Sequence, residues 1–257
     1  MLKRHSDLSL GDWVTKGLPR PQSVRSPEWQ GNSVSHCLPA GFPAYCKLFH
    51  PIYVDEQVED RSLSWAVADD DAACLPGKLV SVGTPADPTG PRVRWEEIAE
   101  KHGLVFHPEL TCYSLRQAFQ DGSMPRHLLG PDEGSLDRPT SASLVEVLKS
   151  YQPSERCFFY YDMIATHQIE PLLFEGDVQD VLDSFALDNV YGTPTYWWPE
   201  SRSWCVCTDW DLTFTLIGGP EDLIRVVLKS DELEALIVSE DTRIDYKSDR
   251  INRGGAG

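Results

Sequence analysis

Residues 192–211 read GTPTYWWPESRSWCVCTDWD and place four of the chain's eight tryptophans between Trp197 and Trp210. Aromatic and apolar residues recur here between turn-forming residues, the pattern of short strands joined by tight turns. The spacing predicts strands over 195–198, 204–208 and 212–217. Connections this short favour antiparallel pairing, so the three form a meander. Strand side chains alternate between faces, and adjacent Trp197 and Trp198 must therefore point to opposite sides of the sheet. Either both faces are covered or one indole lies off the main core. Whatever covers it bears on the protein's role.

The remaining periodicities predict an α+β protein, an antiparallel sheet with this C-terminal β-meander packed by several short helices. FPAYCKLFHP (42–51) alternates and gives a strand over 44–49 that ends before Pro51. Trp95, Ile98 and Ala99 share one helix face and Gly103 supplies a stop, predicting a helix over 95–102. Leu144, Val145 and Leu148 mark a helix capped by Thr140 or Ser141 and running to Tyr151, with Pro153 beyond it. Residues 157–162 form a strand with aromatics on both faces. Val178, Val181, Leu182 and Phe185 oppose Asp177, Asp180 and Asp183, predicting a helix over 177–185 whose acids suit its N-terminal dipole. Pro220 opens a helix to about Lys229, followed by a helical or strand segment to Val238. A further short strand is expected at 78–83.

Residues 1–40 are expected to be irregular and to lie over the surface, apart from a helical turn at 12–16. Residues 41–250 then form a single α+β domain, with a subdivision near 122–140 as the alternative, and 251–257 fray.

Charge narrows the function classes. Among 257 residues there are 40 acids and 23 bases, a formal charge of -17. That balance argues against nucleic acid, whose binding depends on Lys and Arg to release counterions, and against an anionic membrane surface. It favours a basic protein partner electrostatically, although many proteins carry such a charge only because it keeps them in solution. No apolar run reaches the ~20 residues of a spanning helix or the length of a signal peptide. The seven cysteines are scattered without the dense, even spacing of a secreted disulfide scaffold, so reduced thiols in the cytoplasm are expected.

Candidate chemistry is sparse. There is no GxSxG elbow, phosphate loop, GxGxxG, HExxH or EF-hand loop, and no cofactor or metal is expected. His36, Cys37, Cys46 and His50 are the ligand types zinc prefers, but their spacing lacks a CxxC knuckle. Cys205 and Cys207 point to one strand face and suit core packing better than redox work. Asp209 and Asp211, with Glu200 or Asp162, offer oxygen ligands or acid/base groups; Asp at a turn more often bonds local backbone. His50, His107 and His167 are the candidate bases, and His50 with Asp209, Asp211 or Glu200 defines a hydrolase-type alternative. Tyr196, Trp197, Trp198, Arg202, Trp204 and Trp210, with Tyr160 and Tyr161, form the candidate binding set, a stacking platform or protein contact.

Four blocks stand in order: GFPAYCKLFHP (41–51), RWEEIAEKHG (94–103), ERCFFYYD (155–162) and TYWWPESRSWCVCTDWDLTFTLIGG (195–219). This order resembles a group of uncharacterised bacterial proteins, frequent in actinobacteria, with an aromatic-Ala-Tyr-x-x-x-x-His-Pro block and a Trp-Trp-Pro-x-x-Arg-x-Trp-Cys-Val block before Gly-Gly. It covers most of the chain after residue 40 and implies no activity. Tyr160-Tyr161-Asp162-Met163 departs from the Trp or Glu and glycine-rich continuation the resemblance implies there. The leading expectation is an acidic cytosolic binding or protein-interaction module, one version being an immunity-like protein that masks a basic toxin.

Overall fold

The computed structural model describes residues 1–19, 31–64, 90–119, 122–162, 165–166 and 170–252. The expected strand at 78–83 lies outside these residues. An eight-stranded antiparallel sheet forms the frame: β1 (Lys3–His5), β2 (Ala44–Phe49), β6 (Arg156–Tyr161), β7 (Leu172–Asp177), β8 (Tyr196–Pro199), β9 (Cys205–Cys207), β10 (Phe214–Gly219) and β11 (Ala235–Val238). Across the sheet the order is β1-β7-β6-β8-β9-β10-β2-β11. The meander is therefore real, and it sits at the sheet's centre. A second, three-stranded sheet joins β4 (Arg92–Val93), β3 (Ile52–Val54) and β5 (Leu128–Leu129) in that order.

Helices cover one face of the large sheet. α4 (Arg138–Tyr151) packs Leu144, Val145 and Leu148 there, and α5 (Glu221–Lys229) packs Leu223, Ile224 and Val227. α4 begins earlier than the expected Thr140 or Ser141 cap. Asp137 takes that place, accepting from the Thr140 N–H at 3.0 Å, and Pro139 fits the first turn, where a missing N–H costs nothing. The third cover, Val178–Ala186, is a 3-10 run rather than an α-helix, opened by a reciprocal cap between Asp177 and Asp180.

The other face is covered by residues from 1–19 and 31–40 and by a late segment. Val14, Val34 and Leu38 pack with Val238 and Ile244 over Tyr45, Phe158, Trp198 and Leu216. Within residues 1–19 the chain forms edge strand β1, paired Lys3↔Glu175 to His5↔Leu173, and α1 (Asp12–Thr15), which falls where the helical turn at 12–16 is expected. Lys-Arg-His has little intrinsic strand preference; β1 forms because β7 offers an edge. β7 itself escapes the periodicity because Leu172-Leu-Phe-Glu-Gly-Asp177 is short and ends in Glu, Gly and Asp.

The small sheet joins α2 (Trp95–Lys101) and α3 (Cys112–Gln117) around Phe49, Ile52, Trp95, Leu110 and Leu115. α2 has no side-chain cap of its own at Arg94. The buried Glu234 carboxylate supplies it, accepting from the N–H groups of Trp95 and Glu96 at 2.9 Å each. That contact ties the small sheet to the chain entering β11.

The N-terminal cover is anchored by Trp13, whose ring stands edge-on to Trp198 at 5.7 Å, with the Arg202 guanidinium 5.0 Å from it. Trp13→Ala is expected to cost about 2 kcal/mol, less than a fully buried tryptophan because Trp13 is half-buried. Denaturant unfolding checks this; an unchanged midpoint would mean the cover contributes little to stability.

Candidate functional site

Trp197 and Trp198 do take opposite faces, and both faces are covered. Trp197 lies on the helical side against Trp204, perpendicular at 6.1 Å. Trp198 lies on the other side between Phe158 and Trp13. Tyr196, Trp197, Trp198 and Trp204 are all buried, as are Tyr160 and Tyr161. The set is interior, so none of these rings offers a ligand an open face. Trp210 is half-buried and packs against Tyr191 at 6.1 Å. Its backbone is approached by Gly134, at φ +74, where a Cβ would come within 3.0 Å of Trp210 Cα and O. Arg202 is exposed and takes a positive φ of 56 in the β8–β9 turn. Its guanidinium is directed inward onto Trp13.

His50 follows β2 and is fully buried. Its Nδ1 meets the Asp132 carbonyl at 2.5 Å and its Nε2 the Thr215 hydroxyl at 3.0 Å; that hydroxyl meets Thr208 at 2.8 Å. Burial pushes the imidazole down to about 4, against the opposing pull of the Asp132 carbonyl and the Asp137 charge. Both nitrogens are thus engaged within the fold. Asp209 and Asp211 lie in the β9–β10 turn at the same end of the sheet, where Asp209 Oδ1 accepts from the Asp211 N–H at 3.4 Å. Burial raises the Asp209 carboxyl, helped by the charges of Asp162 and Asp211. Glu200 lies in the preceding β8–β9 turn, at the opposite end of the strands, paired with Arg156. Consecutive hairpin turns fall at opposite ends of a meander. Glu200 and Asp209 therefore do not converge.

The four zinc-type residues are divided by the sheet. Cys46 packs on the helical face and Cys37 against the other. His36 accepts the Ser33 N–H through Nδ1 at 3.1 Å, a capping role. Among the described residues no group of three or more His, Cys, Asp or Glu is placed to hold a metal ion. Cys205 and Cys207 share one face, packed with Leu216. His107 meets the buried Asp249 at 3.1 Å; His167 lies outside the described residues.

A groove of about 620 Å³ lies open between α5, β11 and the entry to β2. Ile224 and Leu228 form one wall, Phe42 and Tyr45 another, and Ile237, 60% exposed, the third. Glu221, Glu240 and Asp241 bring three carboxylates to it against the single cation Arg225. Glu240 is fixed, accepting from the Tyr45 hydroxyl at 2.7 Å and the Gly41 N–H at 2.8 Å. Glu221 and Asp241 are exposed. Between positions 221 and 241 the chain carries seven acids and two bases, a local bias visible in sequence. The concavity is not visible there, because it arises where α5 and β11 meet across β2.

No family model, no curated protein and no solved structure matches this chain. Among the described residues no helix is long and apolar enough to cross a membrane.

Proposed function

We propose that this α+β protein is an acidic interaction module whose groove between α5 and β11 receives a basic protein partner. The carrying observation is the coincidence of accessible apolar side chains, half-buried Leu228 and exposed Ile237, with a rim of carboxylates. Apolar contact area supplies affinity and the charged rim supplies steering and partner choice. Masking of a basic protein in the manner of an immunity protein is the concrete form of this reading. The resemblance to the actinobacterial-type family is compatible with it and carries no argument for it. A hydrolase built on His50 with Asp209 and Asp211 has less support, since the imidazole is buried with both nitrogens committed.

The test uses a lysine octamer as probe, titrated by fluorescence anisotropy. Glu221→Lys with Asp241→Lys is expected to weaken its binding by roughly tenfold. The control pair Glu146→Lys with Asp188→Lys changes net charge identically at exposed positions elsewhere. Equal loss in both pairs would reduce the effect to overall charge and overturn the groove as the site.

A further inference from the structure

We infer that the partner is held as an added β-strand: an extended basic segment hydrogen-bonds to the outer edge of β11, an inference that rests on the proposed acidic module. The backbone carries it first. The Phe49 N–H donates to the Glu234 carbonyl at 2.9 Å, and the register continues Ala235↔Leu48, Leu236↔Lys47, Ile237↔Cys46, Val238↔Tyr45. In an antiparallel ladder alternate residues turn both backbone groups toward the neighbouring strand. Leu236 and Val238 therefore bond to β2, and Ala235 and Ile237 turn their N–H and C=O groups outward. Among the described residues no strand, loop or side chain takes up these four groups. They form the repeat that a pairing strand requires, two residues apart at ~6.5–7 Å.

The two sheet edges are treated differently. The β1 edge is Lys-Arg-His, charged side chains of the kind that discourage further pairing. The β11 edge is Ala-Leu-Ile-Val, with no charge, proline or bulge, and Ile237 stands exposed beside the groove. Acids bracket it in sequence, Asp231 and Glu232 before it and Glu240 and Asp241 after it. At the first end Arg94 and Arg92 donate to the Asp231 and Glu232 carbonyls at 3.2 and 2.5 Å. At the second end Glu240, Asp241 and Glu221 line the groove with one cation, Arg225, among the described residues. Charge therefore selects a basic segment over a second copy of this chain, whose own β11 would bring these same acids together. An alternating sequence would direct one set of side chains over Ile237 into the groove and the other set away from it.

The probe is an eight-residue peptide alternating lysine and valine, compared with the same peptide N-methylated at alternate residues, which blocks one pairing edge. Binding is read by anisotropy and by amide shifts in two-dimensional NMR. The unmodified peptide is expected to shift the Ala235 and Ile237 amides and to bind at least tenfold more tightly than its methylated form. Ile237→Pro removes one outward N–H and no bond to β2, and is expected to produce a similar loss. Should Ile237→Pro not fold, the methylated peptide on the unaltered protein gives the same answer. Equal affinity for both peptides, with loss on Glu221→Lys and Asp241→Lys, would overturn strand addition and leave the acidic module standing. No response to any of these changes would overturn both. A homodimer in sedimentation that Ile237→Pro dissolves would overturn the basic occupant in favour of a second copy.

Discussion

Raising the pH from 7 to 9 is expected to add about 2 kcal/mol of stability through Lys47 alone. Lys47 is fully buried on β2, donating to the Pro108 and Leu110 carbonyls at 2.9 and 2.8 Å with its ammonium over the rings of Phe214 and Phe49. Burial pulls its ammonium down to about 7, against the opposing charges of Asp249 and Glu109. Between about 7 and the ordinary lysine value near 10.5 the unfolded chain holds a proton that the folded chain has released, so stability rises with pH across that window. Lys47→Met keeps most of the volume and removes the titration. Denaturant unfolding at pH 7, 8 and 9 should give a gap between the two proteins that changes by about 2 kcal/mol. Parallel curves would mean that Lys47 stays charged in the fold.

Acid should act through His50. Its folded value lies near 4 and the unfolded one near 6.5. The unfolded chain therefore binds the extra proton as pH falls through that window, and the stability present above 6.5 is lost. The full loss is about 3 kcal/mol, of which about 2 falls between pH 7 and 4.5. His50→Gln retains hydrogen-bonding groups toward the Asp132 carbonyl and Thr215 but cannot take up the proton. Its stability is expected to start lower at pH 7 and to fall less steeply. If both proteins lost stability equally on acidification, other groups would control the acid limb.

These two side chains show how far the sequence is legible. The strand over 44–49 is readable from alternation bounded by Pro43 and Pro51, and its limits match β2. Nothing local says that Lys47 within it is buried, because its partners Pro108 and Leu110 lie more than sixty positions away. The opposite faces of Trp197 and Trp198 follow from strand geometry. What covers Trp198 does not, since Trp13 and Arg202 meet only after the N-terminal segment docks. The 3-10 run at Val178–Ala186 has the apolar spacing of an α-helix; periodicity over nine residues does not separate the two. Glu200 and Asp209 look like neighbours in sequence, and the meander sends them to opposite ends.

The pairing of β2 also sets a clock for synthesis. This strand, finished by residue 49, bonds only to β10 and β11, which begin at Phe214 and Ala235. A chain growing from its N-terminus must hold the apolar Ala-Tyr-Cys-Lys-Leu-Phe segment without its ladder for more than 160 further residues. At ~5–20 residues per second that is roughly ten to thirty seconds. Such long-range closure makes folding slow and the waiting strand vulnerable to association. The partly made chain, rather than the finished protein, is where a chaperone has most to protect.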